Sequence, residues 1–86
     1  MVSDGLAPSA EALFQHLRTV RTSLAKSEGI AAYMVFADRT LIEMAERRPN
    51  DAAAMRAIYG VGERKFERYG PVFLKEIRWF EAEARV

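Results

Sequence analysis

Ile58-Tyr59-Gly60-Val61-Gly62-Glu63-Arg64-Lys65-Phe66 reads as a helix end, a hairpin and a helix start, and Tyr69-Gly70 closes the unit. Gly60 stands where a helix of Ala and Met should stop, because glycine tolerates the left-handed geometry of a helix C-terminus. Val61, apolar between two glycines, is expected to turn inward and lock the hairpin to a core. Gly62 opens a new helix whose first turn carries Glu63, Arg64 and Lys65. Two readings fit these residues. The free N–H groups of such a helix start, beside a lysine, can hold a phosphate; equally, the glycines can serve a tight helix–helix joint and nothing more.

Upstream, residues 1–8 hold Ser, Asp, Gly and Pro with little to bury, and read as a linker or terminal tail. Ser9 is a candidate N-cap, with Glu11 in the first turn. Leu13, Leu17, Val20 and Leu24 then recur at helical spacing through about Lys26, and Gly29 ends that helix. Phe14, Arg18 and Arg21 are expected along its flank. The run Ile30 to Ala37 is continuously apolar, and a short buried helix is favoured over a strand because no partner strand is evident and a lone strand leaves its backbone unpaired. Asp38 is expected to cap a third helix with Leu41, Met44 and Ala45 on its inner face. Arg47 and Arg48 suit its C-terminal end, and Pro49 stops it. Asn50 or Asp51 caps a fourth, short helix that turns Met55 and Ile58 inward.

Downstream, Phe66 and Tyr69 fall on a short helix with Arg64 and Arg68 on its outer side. Gly70-Pro71 is expected to break the direction and start a last helix along Phe73, Ile77, Phe80 and Ala84, with Leu74 beside them. Trp79 points away from that stripe, next to Lys75, so the pair is a candidate protein contact. The expected architecture is all-α: a compact bundle of five to six short helices with a helix-hairpin-helix-like glycine turn, spanning 9–84.

The chain has 86 residues, half of them hydrophobic, with 13 Lys and Arg against 12 Asp and Glu and a net charge of +1. Such a chain is globular, not disordered. Near-neutrality excludes a strong overall grip on nucleic acid, which scales with clustered cations, so any basic surface must be local. No cysteine is present, which removes disulfides and thiolate metal sites and fits a cytoplasmic setting. No apolar run approaches a bilayer span and no signal-peptide pattern opens the chain, so no membrane role is expected.

Several motifs in order carry a resemblance: Leu13-Phe14…Leu17-Arg18…Arg21, then Ile30 to Leu41, then Met44-Ala45…Arg48-Pro49, then Ile58-Tyr59-Gly60-Val61-Gly62…Lys65…Tyr69-Gly70…Phe73-Leu74…Ile77. Together they resemble an HRDC domain, the helicase-and-RNase-D C-terminal module, over about residues 13 to 78. The resemblance is strongest to bacterial RecQ-family DNA helicases. It implies a bundle of about five helices that binds single-stranded or junction DNA weakly, with no catalysis of its own. By position, Tyr33 matches a surface aromatic that touches DNA, and Arg18 and Arg21 match a basic stretch of the first helix. His16, Thr19 and Thr22 stand where DNA-binding members interleave lysines, which implies fewer phosphate contacts.

No phosphate-loop motif for ATP is present, and His16, the sole histidine, sits beside the apolar stripe with no paired nucleophile. Glu43 with Glu46, and Glu81 with Glu83, read as solvated helix faces. The expectation is therefore a non-catalytic module without cofactor, metal or small-molecule substrate. In its DNA-binding form Tyr33 stacks a base, Arg18, Arg21, Arg64, Lys65 and Arg68 touch phosphates, and Gly60, Val61 and Gly62 supply hairpin backbone. Two other readings stand: a regulatory module that contacts the parent helicase core through Trp79 and Lys75, or the same module of an RNase D-type exonuclease.

Overall fold

The computed structural model describes residues 8–84, which form five α-helices and, among those residues, no strand. Most of the expected 1–8 tail lies outside them. The helices are α1 (Pro8–Glu28), α2 (Ala32–Val35), α3 (Asp38–Arg47), α4 (Ala52–Arg56) and α5 (Glu63–Ala84). Only the middle three are short. Helix α1 is the spine: α2, α3 and α5 all pack on it, and α4 packs on α5.

Helix α1 begins at Pro8, so Ser9 is inside the helix rather than its cap. Proline has no N–H to satisfy and its fixed φ suits a first helical position, which explains the earlier start. Leu13 and Leu17 are fully buried, and Val20 and Leu24 are partly so. Phe14 is also buried, against its expected place on the flank. The helix ends at Gly29, whose φ is 69°.

The apolar run becomes a four-residue helix, α2, buried only on one side. Val35 and Phe36 have no exposed surface, whereas Tyr33 and Met34 stand out at 71% and 49% exposure. Phe36 leaves α2 in extended geometry and meets Phe73 edge-on at 5.2 Å and Tyr69 at 5.8 Å. This cluster, with Leu41, Met44, Met55 and Ile77, is the centre of the core.

Asp38 is the first residue of α3, not a cap that bonds the helix start; Ala37 takes the cap position without a side-chain bond. The Asp38 carboxylate is drawn to Arg21 instead, at 2.8 Å. Arg48 closes α3 in left-handed geometry and donates its N–H to Met44 O, ahead of Pro49. Asp51 caps α4, accepting from Ala54 N at 2.8 Å, and Met55 and Ile58 face inward.

The largest departure lies after the hairpin. Gly70-Pro71 does not break the chain: α5 runs through both for 22 residues. Pro71 cannot donate to the Glu67 carbonyl. Both residues are exposed, so water can satisfy that carbonyl. Gly70 is buried against Phe66, and a Cβ there would come within 2.8 Å of the ring. The glycine therefore serves close packing within one helix, a role its Gly-Pro neighbourhood hides.

Candidate nucleic-acid interface

The hairpin is built as its sequence implies. Ile58 N–H donates to Met55 O, Val61 N–H to Ile58 O at 3.1 Å, and Phe66 N–H to Gly62 O at 2.8 Å, which makes Gly62 the cap of α5. Val61 is buried at 7% exposure. Gly60 has φ 83°, and a Cβ there would overlap Thr40 Oγ1. The hairpin is thus pressed onto α3. Tyr59 N–H reaches Glu43 Oε2 at 3.1 Å, and Arg39 lies 3.9 Å over the Tyr59 ring. Arg56 braces the two helices, bonding Glu63 Oε1 at 2.8 Å and lying 4.1 Å over Phe66. Gly62 is different from Gly60: its φ is not positive, and a Cβ there would meet no atom within 4 Å.

Three of the expected cations come together at the start of α5. Arg64, Lys65 and Arg68 border an open depression that is closed on its other side by Ile30, Met34 and the Tyr69 ring, with Glu28 and Glu67 also on its wall. Arg64 is exposed. Lys65 is half-buried, its Nζ 5.8 Å from the Phe36 ring centre. Arg68 is tied to Glu28 Oε1 at 3.1 Å, and the buried Tyr69 donates its hydroxyl to the same oxygen at 2.7 Å. The Tyr69 bond first, then Arg68, holds the Glu28 carboxyl below its ordinary range. Burial first, then Glu28, pushes the Tyr69 hydroxyl up. Because the Glu28 shift is downward, its contribution to stability is present above the ordinary carboxylate range and lost as pH falls through the lowered value.

Arg18 lies elsewhere, along an exposed α1 groove lined by Gln15, Thr19, Thr22, Ser23 and Lys26. Arg21 is not on a surface at all. It is 7% exposed, donates to Phe36 O at 2.9 Å and pairs with Asp38, while its Nε has no partner among the described residues. Three residues along α1 set Arg21 about 60° around the helix from Arg18, so Arg18 stays outward and Arg21 reaches the α2–α3 junction.

Trp79 is half-exposed, as expected, and one face of it is taken by α1. The ring stacks on His16 at 5.2 Å and 28°, and His16 in turn meets Phe80 and bonds Glu76 at 2.8 Å. His16 is therefore a joint between α1 and α5. Trp79 fluorescence is expected to be red-shifted and readily quenched by iodide. Trp79→Ala is expected to leave the fold intact at a cost of about 1 kcal/mol, the size of one aromatic pair. A blue-shifted tryptophan that iodide cannot reach would contradict this placement.

Met34, Ile30 and Glu28 escaped the sequence reading. Met34 could have been found from its place beside Tyr33 had α2 been treated as one-sided. Glu28 gives no local signal, since its partners lie 40 and 41 residues away.

This arrangement of helices and hairpin is a known one. Residues 10–77 match the model of the HRDC domain family, and the chain belongs to that family. One solved structure similar to it is described as D. radiodurans RecQ HRDC domain 3, with a TM-score of 0.75 and 35% identity over 83% of this chain and 92% of that one. Among curated relatives, the ATP-dependent DNA helicase UvrD2 of Mycobacterium tuberculosis is 47% identical over 68 residues, 79% of this chain and 10% of the relative. The ATP-dependent DNA helicase RecQ of Bacillus subtilis is 42% identical over 66 residues, 77% of this chain and 11% of the relative. The chain thus spans about a tenth of these relatives. HRDC is a non-catalytic accessory domain of helicases such as RecQ and UvrD2. No described helix is long and apolar enough to cross a membrane.

Proposed function

We propose that this chain is the accessory module of an ATP-dependent DNA helicase and makes weak contact with single-stranded or branched DNA. The relatives' names support the parent activity. The single observation that carries the contact is Tyr33, 71% exposed on α2, next to Met34 on the wall of the cation-bordered depression. A large aromatic held open to solvent, one residue along the chain from the wall of a cation-bordered depression, suits an unpaired base with its phosphate. Base stacking of this kind is worth about 1–3 kcal/mol. Arg64, Lys65 and Arg18 supply phosphate contacts, the hairpin residues Gly60, Val61 and Gly62 lie beside the first two, and Arg68 is partly neutralised by Glu28. Arg21 drops out of the set because its guanidinium is committed to Phe36 and Asp38. The same proposal places the protein in the cytoplasm.

Anisotropy with labelled single-stranded oligonucleotide tests this. Binding is expected at low salt, in the micromolar range or weaker, and is expected to fall as salt rises. Arg64→Ala is expected to flatten the salt slope by about 0.7 units, one phosphate contact on a single strand. Tyr33→Ala should weaken binding without changing that slope, and duplex of equal length should bind less well. No binding at low salt, or variants that bind like the parent, would sink the reading. The regulatory alternative rests on Trp79, half-exposed and stacked on His16. In that outcome the partner is the parent helicase core, with Trp79→Ala as the variant that loses it.

A further inference from the structure

We infer that Glu28 gives the depression a preference for bases that carry an exocyclic amine, cytosine or adenine, over thymine, by accepting a hydrogen bond from that amine. The inference rests on the proposed DNA contact and goes beyond it, adding a bias to a grip on backbone. A carboxylate on the wall of a phosphate-binding groove is at first sight a fault, since it repels what Arg64 and Lys65 attract. Its bonding says otherwise. Tyr69 Oη, at 2.7 Å, and Arg68, at 3.1 Å, both donate to Oε1. Oε2 has no partner among the described residues, and the Glu28 side chain retains 25% exposure. The carboxylate is therefore oriented in advance by two donors on one oxygen, with the other oxygen left to a ligand.

The rest of the depression fits the remainder of a nucleotide. Ile30 and Met34 offer an apolar wall for a base, and Arg64 and Lys65 offer positive charge for its phosphate. Cytosine presents an N4 amine, a donor, where thymine presents O4, an acceptor. A carboxylate oxygen accepts from the first and repels the second. Glu28 is held ionised by its two donors, so this discrimination persists across neutral and mildly acidic pH.

The test compares labelled cytosine and thymine homo-oligomers of equal length on the full chain at low salt. Tighter binding to cytosine by about five- to tenfold is expected, the worth of one good hydrogen bond to a base edge. Glu28→Gln keeps an oxygen for Tyr69 and Arg68 and turns an amide N–H, a donor, toward the base, so the ratio should fall to one or below. Removal of the anion will shift both affinities, and the ratio is the readout for that reason. Equal affinity for the two oligomers in the parent protein overturns the inference and leaves the DNA reading standing, as does a preference that survives in Glu28→Gln. Absence of binding to either oligomer overturns both. If Glu28→Gln fails to fold by thermal melting, the parent ratio alone decides.

Discussion

Replacing Gly60 by valine is expected to lower stability by about 3 kcal/mol, while the same change at Gly62 costs about 1 kcal/mol or less. At Gly60 two penalties add. A φ of 83° is strained for any residue with a Cβ and worst for a β-branched one. The new Cβ would also overlap Thr40 Oγ1, and Thr40 is only 1% exposed, so it has nowhere to swing and the core must be overpacked. At Gly62 neither applies, and the only loss is a poorer cap residue for α5. Urea unfolding of the two variants beside the parent measures the difference. Two variants with equal midpoints would mean that the hairpin does not lie against α3 as described.

For Arg21→Ala the expected loss is about 2–3 kcal/mol, with no change in the salt slope of whatever DNA binding remains. The substitution strips the Phe36 carbonyl of its buried donor, and an unsatisfied buried acceptor costs roughly 1–3 kcal/mol. The arginine stem leaves a gap between α1 and the α2–α3 junction besides. Asp38 adds little to the cost, because its side chain is 63% exposed and water replaces its partner. Arg64→Ala should show the reverse pattern, a flatter salt slope with nearly parental stability. Thermal melting and salt-dependent anisotropy on both variants decide it. An Arg21→Ala protein that is fully stable and loses a phosphate contact would return Arg21 to the interface.

Periodicity made the all-α class and the α1, α3 and α4 cores legible, because each buries one face whose spacing is written in order along the chain. The hairpin was legible for the same local reason: a left-handed turn needs glycine, and an inward apolar residue between two glycines has one place to go. The rest depends on which side chains fill which space, and spacing along the chain does not carry that. Gly70-Pro71 resembles a break only until Phe66 is seen filling the space a Cβ would take. Asp38 resembles a cap only until Arg21 is found 2.8 Å away. Arg21 follows Arg18 along the flank of α1 by spacing, yet it sits about 60° further round the helix and its guanidinium is taken by Phe36 and Asp38. The exposure of Trp79 follows from its angle on α5, but its partner His16 sits on another helix. The basic border of the depression could be listed from sequence, whereas the carboxylate that completes it could not.

Mechanically, α5 is a single beam of 22 residues, about 33 Å by helical rise, tied by side-chain bonds along its length, from Arg56–Glu63 at its start to Arg48–Glu81 near its end. Near its hairpin end, Arg68 and Tyr69 fasten it to Glu28. Further along, Glu76 fastens it to His16 and Arg78 to the Asn50 carbonyl. Pro71 removes one rung of the ladder between the tie to Glu28 and the tie to His16. A beam bends where a rung is missing, and that point lies about 12 Å from the hairpin, so a tilt of about 10° there carries the hairpin through roughly 2 Å. The two ends of the domain are thus joined by one helix whose weakest rung is at Pro71, while Glu76, Arg78 and Glu81 tie the end that carries Trp79.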